Sequence, residues 1–81
     1  MKEDAIREVV LDVLGDVAPD VERGAVPRDR DLARALDLDS MDQLNVLVGI
    51  GARLGFEIPE ADAARLRTLD QLVGYLVAHV R

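Results

Sequence analysis

The chain has 81 residues, 16 acidic and 10 basic, with no cysteine and a net charge of −6. That length allows one small domain, expected to span residues 1–81, in which packing alone must hold the fold, because disulfides and cysteine–zinc sites are excluded. The acidic balance repels phosphate backbones and argues against nucleic-acid binding, while the 49% hydrophobic content, nearly free of aromatics, suits close-packed helices.

The start, MKEDAIREVV, is too charged for a secretory leader, and no apolar run is long enough to span a membrane. The cytoplasm is the expected location. Ile6, Val9, Val10, Val13, Leu14 and Val17 then recur at i, i+3, i+4, i+7, i+8 and i+11, which predicts an amphipathic helix. Glu3, Asp4 and Glu8 lie near its positive end, and Gly15 and Pro19 put its stop at about residues 15–18.

Residues 19–39 carry no helical or strand pattern. A connection this long in a small domain is usually functional or anchored, and Leu32 and Leu36 are the expected anchors. A second helix should run from Ser40 to Gly55, a residue suited to the left-handed position after a helix. Met41, Leu44, Val46, Leu47, Val48, Ile50 and Leu54 cover well over half of it. Together with Gly49 and Gly51, each costing about 1 kcal/mol against alanine, this predicts a central helix closely approached by another.

F-E-I-P-E then reads as an extended linker, with Pro59 opening a brief third helix through Ala61, Ala64 and Leu66. Thr68-Leu69-Asp70-Gln71 is a T-x-x-Q capping box for a last helix carrying Leu69, Leu72, Val73, Leu76, Val77 and Val80. The fold class is therefore all-α: a small four-helix bundle of three longer helices and one short third helix, with a long loop between the first two.

Ser40, the only serine, sits among acids in L-D-L-D-S-M-D. On spacing, the ordinary reading is a helix cap. Ser40-Met41-Asp42-Gln43 is an S-x-x-Q box, with Asp39 as the competing cap. A calcium loop starting at Asp37 and Asp39 fails, because Met41, Asp42 and Val48 stand where a ligand, a glycine and a glutamate are needed. No metal site is expected. A catalytic serine is also a poor reading, since the single histidine, His79, lies in the last helix and no G-x-S-x-G elbow is present. No catalytic residue is assigned. The remaining reading makes Ser40 a substrate, an exposed hydroxyl at a helix start whose positive end favours an attached phosphate.

Asp39-Ser40-Met41 before an apolar helix, then Glu57-Ile58-Pro59, a short helix, Thr68 and Tyr75, resembles the acyl carrier protein family over nearly the whole chain. The resemblance implies that a phosphopantetheinyl transferase joins 4′-phosphopantetheine to Ser40. The chain would then be a non-catalytic carrier, a substrate of ligase, synthase or acyltransferase partners, and a monomer. It also implies a transferase and magnesium contact for Asp39 and partner contacts for Asp37, Met41, Asp42, Asn45 and Val48. An acyl pocket would be lined by Leu44, Leu47, Ile50, Leu72 and Leu76.

Two departures from the family pattern stand out. Asp37 replaces a frequent glycine, and of the helix-two positions Asp42, Asn45, Val48, Gly51 and Ala52 only Asp42 is acidic. That composition points to a specialised fatty-acid or polyketide carrier, with a peptidyl or aminoacyl carrier as the alternative. From another class, a helical interaction module with Ser40 only as a cap stays open.

Overall fold

The computed structural model describes residues 2–80, so Met1 and Arg81, the ends of the expected domain, lie outside the described residues. The described chain forms five α-helices: α1 (Glu3–Val17), α2 (Leu32–Ala35), α3 (Ser40–Leu54), α4 (Glu60–Ala63) and α5 (Leu69–His79). There is no strand among the described residues.

In α1 the stripe Ile6, Val10, Val13 and Leu14 is buried, and Glu3 and Asp4 occupy its first turn. The helix passes Gly15 and stops at Ala18, just before Pro19. It packs against both α3 and α5. From α5, Leu69, Leu72, Val73 and Leu76 close the core, and the expected Thr68–Gln71 capping box is present. Val80, expected inside this helix, caps its end instead.

The connection after α1 is more structured than its pattern suggested. Arg23–Ala25 form a 3-10 turn, tied to α1 by Arg23 pairing with Glu8 and Asp12. Asp31 then caps the single turn of α2 by accepting from the Ala33 and Arg34 amides. Leu32 is buried and Leu36 packs against the core, as expected of anchors. The Leu32 amide donates to the Arg67 carbonyl at 2.8 Å, and the Asp70 amide to that of Arg28 at 3.0 Å. A backbone stitched across the fold this way satisfies polar groups that burial would otherwise strand.

In α3, Val46 and Ile50 are buried. A Cβ placed on Gly49 would lie 2.8 Å from a Val13 methyl, so α1 approaches the helix at this glycine. At Gly51 the close neighbour is not a helix but the Phe56 carbonyl oxygen, 3.2 Å from such a Cβ. The expectation of a central helix holds for one face only. Met41 and Val48 are each 62% exposed and Leu44 51%, so much of the apolar cover points outward. Hydrophobic character alone does not decide which face is inside.

Candidate functional site

Asp37 opens the site. It follows α2 in the left-handed region, with φ +54°. The Leu38 amide donates to the Ala33 carbonyl at 2.8 Å, the 6→1 bond that marks a Schellman ending, in which the left-handed residue is usually glycine. Aspartate and asparagine tolerate this region better than other side chains. Replacing Asp37 by valine should therefore cost about 1–2 kcal/mol of strain, whereas Asp37→Gly should stay within about 0.5 kcal/mol. Urea denaturation of the two variants checks this; equal midpoints would refute a backbone role for the position.

The cap of α3 is Asp39, and the reading of Ser40 as cap is corrected. The Asp39 side chain accepts from the Asp42 amide at 2.8 Å, and the Asp42 carboxylate accepts from the Asp39 amide at 3.2 Å. This is a complete capping box one residue earlier than the S-x-x-Q reading. A carboxylate wins that position because its charge strengthens the bond and suits the positive helix end. Gln43, expected to close the box, donates instead to the Asp39 carbonyl at 3.3 Å.

Ser40 is thus the first residue of α3 and is exposed. Its hydroxyl is left out of the cap and has no side-chain partner among the described residues. Met41, Leu44 and Val48 follow on the outward face, and Asn45 and Ala52 are exposed as well. Arg53, the cation near the end of this helix, is turned toward α1, where it pairs with Asp12 and Asp16.

Two cavities border α3. A groove of about 1160 Å³ runs beside Ser40, Leu44, Leu47 and Val48 to Phe56 and Pro59. A recess of about 420 Å³ is lined by Leu14, Leu32, Leu38, Val46, Leu66 and Leu72, with Asp31 and Arg67 also in its lining. Gln43 and Leu47 border both. Of the five expected pocket residues, Leu44 therefore lies in the groove, Leu72 in the recess and Leu47 between them. Ile50 and Leu76 are fully buried and border neither cavity.

Sequence reasoning missed Gln43 as a wall residue and missed the hydrogen bond from the Tyr75 hydroxyl to Asp62, 2.6 Å long. The only signal for the first was its helical register one turn after Asp39. The second joins residues 13 apart and depends on the tertiary fold.

Residues 4–76 match the family model described as the phosphopantetheine attachment site. Curated relatives matched over most of their length are named acyl carrier protein. The Tropheryma whipplei (strain Twist) protein is 29% identical over 89% of this chain and 92% of its own length. That of Lactobacillus johnsonii is 28% identical over 98% of each. That of Chlamydia trachomatis serovar L2 is 30% identical over 95% of this chain and 94% of its own length.

The residues present fit a covalently attached group. Attachment through a phosphodiester needs an accessible hydroxyl, and Ser40 offers one at the edge of an open groove. With the fold, this hydroxyl and the matches in agreement, the chain belongs to the acyl carrier protein family, whose prosthetic group is covalently bound 4′-phosphopantetheine.

Proposed function

We propose that Ser40 is the attachment residue and that residues 1–81 work as a non-catalytic carrier of acyl intermediates in a specialised fatty-acid, polyketide or related pathway. The observation that carries this reading is the exposed Ser40 hydroxyl, released from capping duty by Asp39. In the transfer, Ser40 Oγ forms the new phosphodiester as the nucleotide part of coenzyme A leaves. Asp39, beside it, assists the magnesium-dependent transferase. Once attached, the group supplies a terminal thiol that holds acyl chains as thioesters. On this reading the protein is a cytoplasmic monomer; no helix among the described residues is long and apolar enough to cross a membrane.

Incubation with coenzyme A, magnesium and a broad-specificity transferase, followed by intact mass measurement, tests the reading. One added phosphopantetheinyl group is expected. An unmodified chain, beside a known carrier modified in the same tube, would overturn it.

The apolar lining of the recess supports an acyl cargo over an aminoacyl one. An ammonium group drawn in beside Leu14, Leu32, Val46 and Leu72 loses hydration at a cost of several kcal/mol wherever no polar partner replaces it. Asp31, the one carboxylate in the lining, already accepts from the α2 amides and faces Arg67 at 3.9 Å. The cargo would shelter along Leu47 and Leu72, with Leu44 at the outer edge; Ile50 and Leu76 would support the wall from behind.

Partner recognition on this reading rests on Met41, Asn45 and Val48, with Asp37 and Asp42 supplying charge near Ser40. The outward apolar stripe supports contact by shape more than by steering. Met41→Ala should slow acyl transfer by a partner synthase more than Asp42→Asn, which keeps an acceptor for the capping box. Raising salt should have little effect. A steep salt dependence, or a greater loss from Asp42→Asn, would indicate docking led by charge.

A further inference from the structure

Besides Gln43 and Leu47 of α3, which border both cavities, the boundary of the recess includes the short α4, whose Ala63 packs against the core only in part. α4 is four residues long, has no fully buried side chain, and its N-cap, Pro59, supplies no capping bond. A single turn is not stable by itself. Its backbone bonds are local, running from Asp62 and Ala63 to Pro59 and from Ala64 to Glu60. Yet Ala63 and Ala64 line the recess while Pro59 and Glu60 line the groove.

Among the described residues, the one side-chain hydrogen bond from Glu60–Ala63 to another helix is the 2.6 Å bond in which Tyr75 of α5 donates to Asp62. The Tyr75 ring is set firmly to make it. It stacks on His79 with centroids 4.0 Å apart and planes 19° from parallel, and Phe56, from the groove wall, lies 6.2 Å away. Asp62 also accepts from Arg65, within the same short segment, at 2.9 Å. The Tyr75 bond, reinforced by Arg65 and outweighing an opposing effect of desolvation, holds the Asp62 carboxyl below the ordinary carboxylate range. Asp62, with partial burial second, raises the Tyr75 phenol.

We propose that Tyr75 and Asp62 form a latch that keeps α4 closed over the recess, and that its release is the opening through which cargo enters and leaves. The pair are positioning residues, since they act on the wall and not on the thioester. This rests on the reading that the recess shelters the acyl chain.

The test uses the full chain, both unloaded and carrying a hexanoyl thioester on the attached arm. In the unloaded protein, Tyr75→Phe should speed amide hydrogen exchange at Ala63, Ala64 and Leu66 by roughly tenfold, as expected for losing one bond to a charged group. Exchange at Val73 and Leu76 should not change. Asp62→Asn, which keeps an acceptor, should retain part of the protection. In the loaded protein, Tyr75→Phe should hasten hydroxide-driven hydrolysis of the thioester by a similar factor.

Unchanged exchange in α4 would overturn the latch. Equal acceleration across α5 would overturn it too, by showing a general loss of stability. If the wild-type thioester hydrolyses as fast as free hexanoyl-pantetheine, the sheltering reading fails, and the latch's role in cargo fails with it. If the wild type protects, and the variant opens without losing protection, sheltering stands and the latch is not the opening.

Discussion

Ser40→Ala should abolish phosphopantetheine attachment completely while leaving the fold almost untouched. Two readings of Ser40 separate at this substitution. A capping serine replaced by alanine costs about 1 kcal/mol, enough to lower the melting temperature of a domain this size by roughly 4–8 °C. An exposed first-turn residue whose cap is supplied by its neighbour should stay within about 0.5 kcal/mol. Asp39 fills the cap here and Ser40 does not, so the expected pattern is no added mass with a melting curve superposable on wild type. Asp39→Ala should give the complementary result, a loss of about 1 kcal/mol with the hydroxyl intact. A mass gain that persists in Ser40→Ala would move the attachment elsewhere. Stability lost in Ser40→Ala and kept in Asp39→Ala would reverse the cap assignment.

Ile50→Ala should be the most damaging single change in α3. Ile50 is fully buried, and truncating such a side chain removes its transfer free energy and leaves a cavity, together about 2–5 kcal/mol. A core in a chain this short supplies only about 3–5 kcal/mol. The variant should therefore be near its unfolding midpoint without denaturant. Val48→Ala, two residues away, should change stability by about 0.5 kcal/mol or less, because Val48 is 62% exposed. Urea curves for both variants test the contrast. Comparable losses would mean that the outward stripe of α3 is covered in the folded protein.

The long helices were legible because periodicity survives any tertiary arrangement. Ile6, Val10, Val13 and Leu14 on α1, and Leu69, Leu72, Val73 and Leu76 on α5, announce the faces they bury. The Thr68 cap was readable because no other side chain competes for the position. At α3, two adjacent residues could both accept from the first turn, and only the backbone decides between them. Asp39 has the extended conformation a cap needs and Ser40 does not. α2 was hidden for a different reason. One turn offers only Leu32 and Leu36 as a pattern, and its footing depends on Asp31 below it and on Arg67 far along the chain. The split of α3 into buried and outward apolar faces was illegible as well. Both faces are hydrophobic, and only the positions of α1 and α5 tell them apart. In the site, Ser40 was singled out by motif order as the proposed attachment residue, whereas the α4 wall and its tie to Tyr75 come from contacts between distant residues.

The pairing of Arg53 with Asp12 and Asp16 has a geometric consequence for any enzyme approaching this carrier. Arg53 lies 13 residues beyond Ser40, about 20 Å along the helix at roughly 1.5 Å per residue, well past the ~8 Å over which exposed charges act in physiological salt. The carboxylates of Asp37, Asp39 and Asp42 cluster at the other end. Charge therefore marks a point on α3 and not a line. On the proposed reading, a point of charge adds little steering and sets no direction for a partner. On that reading, direction comes from the exposed ridge of Met41, Leu44 and Val48.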